Sequence, residues 1–105
     1  VLHCFSSDIL IAERALEAGY LLSFTGNVTF GKNSTEEVLK AAPVDRIMLE
    51  TDCPFMTPVP HRGKVNEPSN IPYIGKRIAE IKEMEPMEIA SITSATAQDF
   101  FGLPA

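Results

Sequence analysis

The sequence is short of cysteine, of positive charge and of long hydrophobic runs, and each shortage excludes something. Its two cysteines, Cys4 and Cys53, are too few for a disulfide framework. With no secretion signal in view, free thiols fit a reducing, cytoplasmic setting. Nine Lys and Arg stand against fourteen Asp and Glu, a formal net charge of −5. That balance argues against a broadly basic nucleic-acid-binding surface. It is compatible with a phosphate substrate where bound metal ions bring the positive charge. No apolar run approaches membrane-spanning length. There is no low-complexity segment, and no internal repeat beyond an alternation of strand-like and helix-like patterns.

What is present is the composition of a folded protein, 45% hydrophobic and 22% charged over 105 residues, enough for one domain at most. The most informative stretch is Ile47-Met48-Leu49-Glu50-Thr51-Asp52-Cys53-Pro54. An apolar run enters two acidic residues and meets a proline at once. It reads as a buried parallel strand that delivers Asp52 at its carboxyl end and is stopped by Pro54. In parallel α/β folds the chemistry gathers at those ends. Alternation puts Met48, Glu50 and Asp52 on one face and Leu49, Thr51 and Cys53 on the other. Cys53, and Cys4 by the same reasoning, is therefore expected to face covering helices as a small buried hydrophobe.

In chain order, residues 1–5 read as the end of a strand. Ser6, Ser7 and Asp8 offer caps for a helix with Ile9, Ala12 and Leu16 on its apolar face, flanked by Ile11 and Ala15, and Gly19 after it. Residues 20–24 are the next strand, emptying into a polar loop that begins Thr25-Gly26-Asn27. Ser34-Thr35-Glu36-Glu37 is a capping box for a helix running to Ala42, which Pro43 ends. Residues 46–50 are the third strand. Residues 51–70 form a proline-rich excursion, expected to be ordered and to bury Phe55, Met56 and Val59. Asn70 and Pro72 open a helix lined by Ile71, Ile74, Ile78 and Ile81. Pro86 opens the last, with Ile89, Ile92, Thr93, Thr96 and Phe100 on one side and Gly102 at its close. Strand–helix alternation of this kind means parallel βα units. About three parallel strands with open edges are not a finished domain, so an amino-terminal portion is expected to be missing.

Three strand ends converge in such a fold: His3, Gly26-Asn27 and Asp52. His3 is either a divalent-metal ligand or a hydrogen-bonded strand-end histidine. Asp52 either ligates the metal or takes a proton from an attacking water. Two ligands do not make a site, because a catalytic one needs about three. In Pro60-His61-Arg62-Gly63-Lys64, the one basic cluster, Arg62 either clamps a phosphate or pairs with Glu67 to hold the loop; His61 reads as exposed.

Those residues carry a resemblance. His3-Cys4-Phe5-Ser6, Leu22-Ser23-Phe24-Thr25-Gly26-Asn27, Leu49-Glu50-Thr51-Asp52-Cys53-Pro54-Phe55 and the run from Pro58 to Pro68 resemble, in order and spacing, the carboxyl-terminal part of TatD-family metal-dependent deoxyribonucleases; so does the ending Phe100-Phe101-Gly102-Leu103. The resemblance covers essentially the whole chain. It implies an α/β fold, the carboxyl-terminal portion of a TIM-like (β/α)8 metal-dependent hydrolase barrel, with residues 1–105 as part of a single barrel domain. It implies hydrolysis of phosphodiester bonds in DNA with divalent metal ions (Mg, Mn or Zn). His3 matches the metal-ligand histidine of the sixth strand. Asp52 matches the aspartate ending the eighth strand, a metal ligand and the catalytic base. Glu50, Arg62, Asn66 and Glu67 match positions that support the site or bind substrate. The family's first-strand His-x-His pair, fourth-strand Glu and fifth-strand His are absent, and Thr96 and Ser7 replace a common asparagine and glycine. The fragment alone is therefore expected to be inactive, needing the amino-terminal half of the barrel or a second chain. The rival expectations are an amidohydrolase-type barrel acting on another ester or amide, and a non-catalytic half-barrel serving as an interaction module.

Overall fold

Asp8 starts the first helix. Its backbone is extended, and its carboxylate accepts from the Ile11 N–H at 3.1 Å, satisfying a donor that the helix leaves orphaned. A computed structural model describes residues 1–3, 5–6, 8–30, 34–51, 53 and 55–102. In it α1 (Ile9–Glu17) buries Ala12 and Ala15 and half-buries Ile9 and Leu16. Ile11 sits beyond the edge of that stripe and is exposed, as is Leu10, because two residues on from Ile9 the helix has turned most of the way to its other side.

Two strands, β1 (Leu22–Phe24) and β2 (Ile47–Leu49), pair in parallel with Leu22 opposite Ile47 and Phe24 opposite Leu49. The strand expected over residues 1–5 is reduced to a parallel bridge from Leu2 to Leu22 on the far side of β1. Backbone bonds at Leu2, Ser23 and Phe5 of 2.8–3.0 Å carry it. Leu22, Phe24 and Ile47 are fully buried against the helix layer, and Phe5 meets Phe24 edge to face with ring centroids 6.1 Å apart, a favoured aromatic geometry. The expected parallel α/β arrangement is what forms.

The remaining helices are α2 (Ser34–Ala41), α3 (Ile71–Lys82) and α4 (Pro86–Phe101). Ile74, Ile78 and Ile81 of α3 are buried, following the spacing that keeps one helical face inward. On α4 the stripe holds at Ile89 and Thr93 but ends before Phe100, which is 47% exposed.

Two cations close helix ends. The Arg46 guanidinium donates to the carbonyls of Leu16, at 3.2 Å, and Tyr20, at 2.6 Å, just past α1. Lys82 Nζ donates to Leu39 O at 2.7 Å and to Ala42 O at the end of α2. Both donate to carbonyls at or just past a helix's carboxyl end, and both put positive charge at the negative end of the helix dipole. Burial pushes the Lys82 pKa below the ordinary lysine value. Lys82→Ala removes two charge-assisted bonds and is expected to cost about 2 kcal/mol, read as a fall in the thermal unfolding midpoint; an unchanged midpoint would mean that water replaces the ammonium at no cost.

Candidate functional site

The parallel register decides which side chains meet at the carboxyl ends. Leu2, Leu22 and Ile47 lie in one row across the sheet. Alternation then puts His3, Ser23 and Met48 on the opposite face, with Glu50 two residues beyond Met48 on the same side. The Glu50 N–H still donates to Phe24 O at 2.9 Å, so the ladder continues one residue past β2 and fixes the backbone there. His3 and Glu50 are two strands apart, about 9–10 Å between backbones. Their side chains lean over β1 and meet, His3 Nδ1 to Glu50 Oε1 at 3.3 Å. The imidazole is 76% exposed and the carboxylate 22%. A carboxylate can only accept, so this contact places the proton on Nδ1 and leaves the Nε2 lone pair of the neutral ring open. Asp52, expected beside His3, lies outside the described residues, as do Cys4 and Ser7. Among the described residues no three of His, Cys, Asp and Glu converge closely enough to hold a metal.

Over its described residues the loop after β2 is tied down by hydrogen bonds, and not by burial of the residues expected. Phe55 is 69% exposed and Val59 is exposed too, with only Met56 half-buried. The interior is taken by Thr57, Pro58 and Asn66 instead. Asn66, 4% exposed, donates from Nδ2 to the carbonyls of Thr51 and Phe55, both at 2.7 Å. Its Oδ1 accepts from the Glu67 N–H and from Asn70 Nδ2, both at 2.9 Å. Thr57 Oγ1 donates to Lys64 O at 2.6 Å and closes the loop on itself. The loop is irregular backbone with many polar groups to satisfy, and buried amides and hydroxyls satisfy them where apolar side chains could not.

A second junction joins this loop to the end of β1. Buried Thr25 opens a single 3-10 turn (Gly26–Thr29), its Oγ1 accepting from Asn27 N at 3.3 Å. Thr29 Oγ1 donates to Gly26 O at 2.6 Å and accepts from Val59 N at 2.8 Å. A side chain at Gly26 would strike the Met56 carbonyl oxygen and the Pro58 nitrogen, both backbone atoms with nowhere to go. Glycine is required there for close approach, not for its dihedral freedom.

The other candidates fall as follows. Arg62 lies over the Phe30 ring, 4.0 Å from its centroid, and not on Glu67, whose carboxylate accepts from Ser69 Oγ at 2.6 Å. A guanidinium stacked through its face keeps its N–H edge available. His61 is half-buried where it was expected to be exposed, because its Nε2 meets Tyr73 Oη at 3.0 Å and its ring packs edge to face on that tyrosine. Cys53 is exposed where burial was expected; its N–H bonds to Thr51 Oγ1 in a turn, so strand alternation has already ended. Arg77 had drawn no notice in the sequence, yet it reaches Val28 O, Glu36 and Glu80 and binds the 3-10 turn to α2 and α3. A cavity of about 600 Å³ lined by Leu21, Arg46, Ile92, Thr96 and Phe100 opens at the amino ends of the strands, away from His3 and Glu50.

Comparison with known proteins bears on the family and the fold. A family model described as TatD related DNase matches residues 1–102. The chain is 48% identical over 103 residues to the uncharacterized metal-dependent hydrolase YabD of Bacillus subtilis, covering 96% of this chain and 40% of that protein. It is 42% identical over 104 residues to the uncharacterized metal-dependent hydrolase TatD of Mycobacterium tuberculosis, covering 98% and 39%. Among solved structures, the TatD homologue YJJV of Escherichia coli superposes with a TM-score of 0.88 at 27% identity, over 97% of this chain and 40% of that one. An amidohydrolase from Saccharomyces cerevisiae shares the fold at a TM-score of 0.77 and 16% identity, over 92% and 38%. The chain thus spans about 40% of the length of the curated relatives it matches.

Asn66→Asp replaces the two donors by acceptors facing the Thr51 and Phe55 carbonyls. It is expected to cost about 3 kcal/mol and to open the loop to limited proteolysis between residues 55 and 65. A variant as resistant as the parent would show that the amide is not what holds the loop.

Proposed function

This chain belongs to the TatD-related DNase family, and from that premise we propose that the whole protein hydrolyses phosphodiester bonds in DNA with divalent metal ions, in the cytoplasm. Residues 1–105 are, on this reading, the carboxyl-terminal part of a single barrel domain, and the rest of that barrel supplies what these residues lack. The observation that carries the proposal is the His3–Glu50 contact at the carboxyl end of the sheet. It is the arrangement in which a histidine offers Nε2 to a metal while a carboxylate holds its other nitrogen.

The residues fit such an ion. An imidazole nitrogen with carboxylate oxygens is a donor set that Zn, Mn and related divalent ions accept, and carboxylates alone suffice for Mg. His3 and Asp52 would hold the metal, with further ligands from other strands. Bound there, the ion would supply Lewis acidity and neutralise charge on the phosphate.

The chain's own residues do the rest. Asp52 takes a proton from the attacking water as the water oxygen bonds to phosphorus and the ester oxygen departs. Glu50 keeps the His3 ring turned and in one tautomer. Arg62 directs the free edge of its guanidinium at a non-bridging phosphate oxygen. Asn66 anchors the residues on either side of the Asp52–Pro54 stretch. Glu67 closes the start of the turn that leads into α3.

In the complete protein, Asp52→Ala is expected to abolish hydrolysis of DNA and of a small aryl phosphodiester while leaving the unfolding midpoint nearly unchanged. Turnover at the parental rate would remove Asp52 from the mechanism, and turnover of amides in place of phosphodiesters would favour the amidohydrolase reading. Glu50→Gln is expected to weaken metal affinity about 10- to 100-fold, measured by titrating the apoprotein; unchanged affinity would make the His3–Glu50 contact a surface ion pair of little consequence.

A further inference from the structure

The loop after β2 is inside out. Its polar Thr57 and Asn66 are buried, while Phe55 at 69%, Val59 and Val65 at 78% stand in solvent. The backbone that carries Phe55 is not loose, since Asn66 holds the Phe55 carbonyl and Thr29 holds the Val59 amide. A large ring displayed on an anchored backbone, three residues after Asp52, has a partner to meet. The charge of the same loop says which. Residues 53–66 contain no Asp or Glu but carry His61, Arg62 and Lys64, in a chain whose net charge is −5. Apolar faces interleaved with cations suit a ligand that is flat and apolar at intervals and anionic in between, which describes a nucleic-acid strand. A second copy of this acidic chain, or an apolar segment of the rest of the barrel, would use Phe55 and the valines but leave the outward N–H edge of Arg62 and the Lys64 ammonium without an anionic partner.

We infer that residues 55–65 grip the substrate strand, with Phe55 as a stacking platform for an unpaired nucleobase next to the scissile phosphate and Lys64 with Arg62 on the flanking phosphates. This rests on the phosphodiesterase reading and adds the residue that recognises the base. Stacking on an aromatic face tolerates any base, so the site selects for an exposed base and not for a sequence.

The test is a coupling experiment on the full-length protein. Parent, Phe55→Ala and Phe55→Trp are assayed on a single-stranded oligodeoxynucleotide and on an abasic strand of the same length, by kcat/KM for cleavage and by Kd from fluorescence anisotropy. Removing the ring is expected to lower kcat/KM on the base-bearing strand about tenfold, removing the bases to cost the parent about as much, and doing both to cost no more than either. Phe55→Trp is expected to retain the parental value. Independent, multiplying losses would overturn the proposal, as would no loss at all. So would a tryptophan variant as poor as alanine with a lowered unfolding midpoint, which would show the ring packing against the rest of the barrel. If the parent cuts no phosphodiester, the proposed activity falls, and the same coupling in Kd still decides the role of Phe55.

Discussion

One buried amide sets the terms for the whole carboxyl end of this sheet. A chain leaving a parallel strand has to satisfy its backbone N–H and C=O groups without a ladder to do it, and in a crowded interior each failure costs on the order of 1–3 kcal/mol. Asn66 offers two donor hydrogens and an oxygen with two lone pairs, and all four are used, on Thr51, Phe55, Glu67 and Asn70. Those partners come from the end of β2, from the loop and from the start of α3. A single side chain therefore couples the direction in which the strand empties to the position of the helix that follows. Aspartate and serine lack the donors, and glutamine's extra methylene would carry its amide past these partners. The junction with β1 depends on the same constraint from the other side, because Gly26 admits the loop backbone only by having no side chain.

Scarce positive charge is divided between two tasks. Arg46, Arg77 and Lys82 spend their donors on carbonyls and carboxylates between elements, where they hold helices to strands. Arg62 and Lys64 sit on the loop instead, in a stretch with no acid. An acidic protein that handles a polyanion needs its field to be favourable at one place, not everywhere. On the proposed phosphodiesterase reading, divalent ions near His3 and the two cations of the neighbouring loop would supply such a place.

The sequence disclosed the layers and the order of elements well, and the loop poorly. Helix caps and periodicity are local signals, so Asp8, Gly19, Pro43 and the isoleucines of α3 read correctly. Strand ends were legible because an apolar run ending in Glu50 and Asp52 has few other meanings. The loop failed because its logic is not local. Burial of Phe55 and Val59 followed from hydrophobicity alone, yet what the interior needed was partners for carbonyls, and Asn66 and Thr57 served that need. Cys53 was assigned by strand alternation that had already lapsed into a turn. His61 was read as exposed and Arg62 was offered Glu67 as one of two partners, because Tyr73 and Phe30, which they meet instead, are remote in sequence and carry no charge to attract attention.

The division between what these residues build and what they leave open follows from the architecture itself. In a parallel barrel each βα unit packs mainly against its neighbours, so a run of consecutive units makes a core of its own, as Leu22, Phe24, Ile47, Ile74 and Ile78 do here. The chemistry obeys the opposite rule. Ligands at strand ends point toward the barrel axis, and each unit contributes one or two of them, so no run of units holds the full set. Here His3 and Glu50 meet across β1, and among the described residues no third ligand joins them. Folding is local around the ring and catalysis is not, which is why this chain superposes on 40% of the YJJV structure with a TM-score of 0.88 while no three of His, Cys, Asp and Glu converge among its described residues.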